Sequence, residues 1–232
     1  MSELTATGLI IGGEVAPCDL PVYNWHDHGL EFKPGDGGRA VKPKQIVDLA
    51  VWHWTGGEGD YRAVYRTLQH RELGVELYIA DGNIYQYCDP LVVDAFGAGH
   101  YNPRSLSIEM KNYGFRKDMR QVPQAGRSRP IFETVQNGKR RTFARFHPED
   151  LRAAAALAKA LSAAIPSIPP TTPVDQSGAP YPNYIPPHRM RLVKGHVGHY
   201  HLSLRKADPG PELLQHLRES GAVSGEIYPQ SK

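Results

Sequence analysis

Two histidines and an aspartate, far apart in the chain, are the residues best suited to chemistry. His53 closes the apolar run Val51-Trp52-His53-Trp54-Thr55; His196 and His199 stand in Gly195-His196-Val197-Gly198-His199-Tyr200-His201; Asp208 follows in Lys206-Ala207-Asp208-Pro209-Gly210. Two imidazoles and one carboxylate make three zinc ligands and leave a fourth tetrahedral position open, the arrangement of a hydrolytic rather than a structural zinc. Either His196 or His199 can supply the second imidazole. His196 directly follows the strand-like Leu192-Val193-Lys194-Gly195 and is the favoured ligand, with His199 as the alternative. A chain with such a site is expected to be an enzyme.

Those ligands must be brought together by elements from both ends of the chain. Ile46-Val47-Asp48-Leu49-Ala50-Val51-Trp52 reads as a strand buried on both faces, with His53 at its carboxyl end. After Gly56-Gly57, Tyr61 to Leu68 has helical spacing. Val75-Glu76-Leu77-Tyr78-Ile79 and Ile84-Tyr85-Gln86-Tyr87 are rich in β-formers and joined across Asp81-Gly82, a hairpin signal. Leu106 to Met110 is a further strand. Pro148 suits a first helical turn, Glu149 and Asp150 suit its positive end, and Leu151, Ala154, Leu157, Ala158, Leu161 and Ile165 follow at helical spacing until Pro166 stops the helix. Eight prolines between 166 and 187 predict a surface loop without regular structure, leading to a strand over Met190 to Lys194. Strands interleaved with helices predict an α/β (α+β) fold with a mixed central sheet flanked by helices.

Composition bounds the rest. With 232 residues and 40% hydrophobic content, the chain can build one sizeable core but hardly two. The expected division is an irregular lead-in over 1–44 packed on the domain, the domain itself over 45–220, and a tail over 221–232. Cys18 and Cys88 are too few and too far apart for a disulfide framework. The start lacks a basic n-region, and Leu9-Ile10-Ile11-Gly12-Gly13 is too short for a secretory segment; no membrane span is expected, and the chain is expected in the cytoplasm or delivered to a cell wall by another route. The net charge of +3 is unevenly placed, with nine basic residues between Phe115 and Arg145 (Arg116, Lys117, Arg120, Arg127, Arg129, Lys139, Arg140, Arg141 and Arg145). Such a run is a solvated loop face or a contact for an anionic polymer. It lacks the aromatic interleaving and module signatures of nucleic-acid binding, so no nucleic-acid partner is expected.

Four motifs, in order, resemble the zinc-dependent N-acetylmuramoyl-L-alanine amidases, the family that includes phage lysozyme-like amidases and peptidoglycan recognition proteins. They are Val51-Trp52-His53-Trp54-Thr55, Asp81-Gly82-Asn83-Ile84-Tyr85-Gln86, Asn102 with Ser105-Leu106-Ser107-Ile108-Glu109, and Arg205-Lys206-Ala207-Asp208-Pro209-Gly210-Pro211. The resemblance implies a peptidoglycan-recognition-like fold. It makes His53, the Gly-His histidine and Asp208 the ligands of a Zn2+ cofactor, Glu109 the general base and Lys206 the group that meets the developing oxyanion. Trp54, Glu76, His100 and Asn102 are its candidate substrate contacts, Glu76 standing where many relatives place a histidine. The implied reaction cleaves the amide between N-acetylmuramic acid and L-alanine in peptidoglycan or muropeptides, by a monomer. A phage endolysin, a recycling enzyme and a delivered antibacterial toxin all fit that description. Two other readings stay open: a peptidoglycan-binding module without activity, and a zinc hydrolase of another amide.

Overall fold

The computed structural model describes residues 4–35, 40–41, 46–114 and 129–228. The chain opens with a hairpin of β1 (Leu9–Ile11) and β2 (Glu14–Ala16), followed by β3 (Val22–Tyr23), the single-turn helix α1 (Trp25–His28) and β4 (Ala40–Val41). Next come β5 (Leu49–Trp54), α2 (Tyr61–His70), β6 (Leu77–Ala80), β7 (Asn83–Gln86), β8 (Val93–Asp94), a 3-10 turn over Gly99–Arg104 and β9 (Ser105–Met110). The second half holds β10 (Ile131–Gln136), β11 (Lys139–Ala144), α3 (Pro148–Ala164), β12 (Thr171–Val174), α4 (Pro187–Met190), β13 (Gly195–Gly198), α5 (His199–Leu202), α6 (Pro211–Glu219) and β14 (Ser224–Ile227).

Six strands form one mixed sheet in the order β13-β5-β9-β6-β7-β3. All neighbours are parallel except β6 and β7, which the Asp81-Gly82 turn folds into an antiparallel hairpin. Both turn residues take positive φ, 54° and 74°, as a type I′ turn requires. Because strand side chains alternate, the sheet has two sharply different faces. Ala50, Trp52, Leu77, Ile79, Leu106, Ile108 and Met110 point to one, where they pack with Ala153, Ala154, Leu157, Ala158 and Leu161 of α3 and Leu213, Leu214 and Leu217 of α6. The alanines let α3 lie close to the sheet, and each leucine sealed between them stabilises the fold by roughly 1.5–3 kcal/mol. On the other face, Tyr78 and Tyr87 meet Tyr61, Val64 and Tyr65 of α2, while Leu49, Val51 and Val197 pack with Ile185 and Met190. That face carries the site.

Several segments differ from the sequence expectation, each for a local reason. Residues expected to be an irregular lead-in contain the β1–β2 hairpin and β3, which forms an edge of the main sheet; Leu9, Ile11 and Val22 sit in the core. The proline-rich stretch is not wholly irregular, since Thr171–Val174 pairs in parallel with Ser224–Ile227 of the expected tail. Pro173 is tolerated there because β12 has one strand neighbour only. The strand expected over Met190–Lys194 does not form. Met190 ends α4, a turn follows, and β13 begins at Gly195. Of the basic tract, Arg116, Lys117, Arg120 and Arg127 lie outside the described residues; Lys139, Arg140 and Arg141 lie on β11 of the β10–β11 hairpin, which turns at Asn137-Gly138, both at positive φ, and Arg129 and Arg145 flank that hairpin.

Candidate metal centre and cleft

Strand register places the site. β13 pairs in parallel with β5 so that Gly198 lies beside Trp52, and β5 pairs with β9 so that His53 lies beside Glu109. The residue after Gly198 therefore falls beside His53, and that residue is His199. Asp208 arrives from the loop beyond α5, held by the Tyr200 N–H donating to its carbonyl at 3.0 Å. The result is a closed triangle: His53 Nδ1 to His199 Nδ1 is 2.9 Å, His199 Nδ1 to Asp208 Oδ2 is 2.9 Å, and His53 Nδ1 to Asp208 Oδ2 is 3.2 Å. Tetrahedral ligands about 2.0–2.2 Å from a zinc ion stand about 3.3 Å from one another, so the triangle is close to the face of such a tetrahedron. A hydrogen-bonded chain needs two of these contacts; convergence on one ion uses all three. Among the described residues this is the only cluster of histidine, cysteine and acidic side chains able to hold a metal ion.

His196, the ligand favoured from sequence, does not join the triangle. Three positions before His199, it lies on the opposite face of the sheet, fully buried beside Trp52. Its Nδ1 accepts from Trp52 Nε1 at 3.3 Å, which leaves Nε2–H to donate to Ser162 Oγ at 3.0 Å. His201 is equally committed, with Nδ1 accepting from the Gly198 N–H at 3.1 Å and Nε2 donating to the Tyr181 carbonyl at 2.7 Å. Of the three clustered histidines, only His199 has a ring nitrogen turned toward His53 and Asp208.

The electrostatics follow from burial. Desolvation, then the neighbouring His199 ring, pushes the His53 pKa down to about 4, so His53 is neutral at pH 7 and can ligate through a lone pair. Desolvation opposes the charge on Asp208, but hydrogen bonds from His199 and His53 outweigh it and hold the carboxyl well below the usual range. Glu109 behaves in the opposite way: burial and the Asp208 charge push it up to about 8, with Lys206 and Arg71 pulling it back. Two carboxylates in one site are thus driven apart, as acid–base chemistry requires.

All these groups line one cleft of about 450 Å³, shared by His53, Trp54, Glu109, His199, Lys206 and Asp208. Of the expected substrate contacts, Trp54 lies on its wall and the other three do not. Glu76 is buried, with its Oε2 accepting from the Ser107 N–H at 2.7 Å, so it ties β9 to the segment before β6. Asn102 is buried and its Oδ1 accepts from the Ala98 N–H, closing the 3-10 turn, while His100 is exposed against Tyr101. Among the wall residues that sequence reasoning missed are Arg71 and Phe96. Arg71 follows the end of α2, and Phe96 has φ 62°, an uncommon conformation for a side chain of its size. Nothing in the sequence marks Phe96; an arginine directly after a helix ending opposite His53 was the available signal for Arg71.

Residues 42–211 match the family described as N-acetylmuramoyl-L-alanine amidase. The chain belongs to that family. The matched span includes His53, Glu109, His199, Lys206 and Asp208, and the chain is an amidase. The N-terminal elements from β1 to β4, all of α6 but its first residue, and β14 lie outside it. No curated protein matches the amidase in sequence. Among solved structures it is similar to an endolysin amidase from Clostridium intestinale (13% identity, 84% of this chain and 95% of that chain, TM-score 0.45). It is similar also to the Ph2119 endolysin from a Thermus scotoductus bacteriophage (16% identity, 86% and 98%, TM-score 0.48). A third is AmpDh3 from Pseudomonas aeruginosa, in complex with an anhydromuramic pentapeptide (19% identity, 77% and 60%, TM-score 0.48). No helix among the amidase's described residues is long and apolar enough to cross a membrane.

Proposed function

We propose that this amidase is zinc-dependent, with His53, His199 and Asp208 as the ligands, and that it cleaves the bond between the lactyl group of N-acetylmuramic acid and the L-alanine of the peptide stem. The observation that carries the reading is the triangle of Nδ1, Nδ1 and Oδ2 atoms, no edge longer than 3.2 Å, on the wall of the cleft that Glu109 and Lys206 share. A zinc ion bound there supplies a Lewis acid that lowers the pKa of a water molecule and polarises the scissile carbonyl. The rest is done by the chain itself. Glu109, beside His53 in the sheet, takes the proton from the attacking water and returns it to the leaving amine. Its raised pKa suits a group that must both accept and donate near neutral pH. Lys206, exposed at the rim, places its ammonium where charge develops on the carbonyl oxygen. Trp54 and Phe96 wall the cleft with apolar surface and restrict water.

The test is a metal titration of hydrolysis. Purified protein should contain zinc, lose release of the stem peptide from muropeptides on chelation, and regain it when zinc is restored. Metal-free protein with full activity would overturn the proposal.

A further inference from the structure

We propose that the β10–β11 hairpin is a brace for the metal-ligand loop, and that Gln136 is the positioning residue through which it acts. This inference rests on the zinc reading above. Gln136 is the last residue of β10 and fully buried. Its Nε2 donates to the Ala207 carbonyl at 3.0 Å, and the same oxygen accepts the Gly210 N–H at 2.9 Å. The turn that carries Asp208 is therefore gripped from outside by a side chain that arrives from 71 residues earlier in the chain. On the other side of Asp208, its own carbonyl accepts the Tyr200 N–H. The main-chain carbonyls on both sides of the Asp208 α-carbon thus have partners outside the loop itself.

The hairpin makes further contacts with the same surroundings. Phe143, fully buried on β11, packs its ring 5.3 Å from Trp54, and a side chain added at Gly210 would meet Phe143 and Trp54 at 3.6 and 3.7 Å. At the tip, the Asn137 N–H donates to the Pro182 carbonyl and Asn137 Oδ1 accepts the Tyr184 N–H. The Tyr181 carbonyl beside them accepts from Tyr200 and His201, the neighbours of His199. One ribbon thus touches the supports of two ligands, Asp208 directly and His199 through the proline-rich segment. Groups that hold ligands in this manner set metal affinity, because a carboxylate free to swing must be ordered again each time the ion binds.

Gln136→Met separates positioning from packing. Methionine fills a similar volume, and because Gln136 Oε1 meets no protein donor among the described residues, the change removes one hydrogen bond and one unpaired acceptor together. Zinc affinity is measured by competition with a chromophoric chelator, and the melting temperature is measured on metal-free protein. Zinc affinity should fall about 10- to 100-fold, with a metal-free melting temperature within about 4 °C of the parent. Val135→Ala, an exposed neighbour on the same strand, should leave affinity unchanged. If the parent binds zinc and Gln136→Met binds it within about threefold, the brace is refuted while the metal centre stands. A loss of affinity that comes with a metal-free melting temperature lower by more than about 8 °C would make Gln136 a packing residue and overturn the inference. A parent that binds no zinc would overturn both readings.

Discussion

His196 and His199 should respond to truncation in opposite ways. In His196→Ala, five buried ring atoms vanish from between Trp52 and Ser162. The cavity is comparable to a core leucine truncation, roughly 2–5 kcal/mol. Trp52 is fully buried and loses the acceptor for its indole N–H, about another 1–3 kcal/mol. Ser162 is only partly buried and can turn to solvent. A loss of roughly 3–8 kcal/mol lowers the melting temperature of a chain this size by about 6–32 °C. His199 is different: its side chain is 13% exposed and lies on the cleft wall. Its removal costs the metal-free protein about one hydrogen bond, since Asp208 keeps His53, so the melting temperature should move by no more than about 4 °C.

The assay pairs melting in chelator with zinc content after desalting, on both variants and the parent. His196→Ala should melt early yet, below its transition, hold zinc at the parent's stoichiometry. His199→Ala should melt near the parent and hold none. A folded His196→Ala protein without zinc, beside a His199→Ala protein that retains it, would refute the assignment of the two histidines.

Other expectations follow from the same site. Glu109→Gln keeps shape and removes the base, so hydrolysis should fall by about 10²–10⁴ with zinc content unchanged; Lys206→Met should lower kcat by about 10²–10³, again with zinc retained. Loss of zinc in either variant would make the residue a metal-site support instead. The pH dependence of metal-free stability has a definite sign. Burial lowers His53 to about 4, His196 to about 3 and His201 to about 4. Between those values and about 6.5 the unfolded chain binds protons that the folded one does not. Stability from these groups is complete above pH 6.5 and drains away as pH falls toward 4. Glu109 opposes this, because its raised pKa means stability is lost as pH rises from about 4.5 to 8. With three histidines against one glutamate, denaturation midpoints in chelator should fall from pH 6.5 to 4.5 by the equivalent of at most about 5 kcal/mol; a flat profile would contradict the buried, neutral state of these histidines.

How much of this was legible depends on how far each signal is local. β5 is a continuous apolar run, α3 opens with Pro148 and acids, and the Asp81-Gly82 hairpin is written in a dipeptide; α3 and the hairpin form where the pattern places them, and β5 forms on the run but covers Leu49–Trp54, with His53 inside the strand. Asn137-Gly138 is the same kind of dipeptide, flanked by Ile131, Thr134 and Val135. Its hairpin was hidden by the density of basic residues around it, which favoured a solvated loop. Glu76 and Asn102 misled for another reason. Both are polar residues inside motifs, but each is consumed by a backbone N–H, of Ser107 and of Ala98. A buried polar side chain satisfied by nearby backbone is the commoner outcome, and sequence spacing cannot distinguish it from a cleft residue.

The choice of histidine turned on a strand boundary. Leu192-Val193-Lys194 looks like the strand and Gly195-His196-Val197-Gly198 like the loop after it, because propensity favours the first and penalises two glycines in the second. Tertiary pairing reverses the order. Gly195 has φ 88° and the close approach of the Pro169 and Thr171 backbone leaves no room for a Cβ, so this glycine is where β13 can begin against β12 and β5. With the strand beginning at Gly195 instead of Met190, five residues onward, alternation does the rest: His196 faces Trp52 and the helical core, Val197 faces the other way, and the next residue on that second face is His199. A shift by an odd number of residues exchanges the two faces of a strand. The ligand identity was therefore encoded in which glycine opens the strand, a property of the backbone around Gly195 rather than of either histidine.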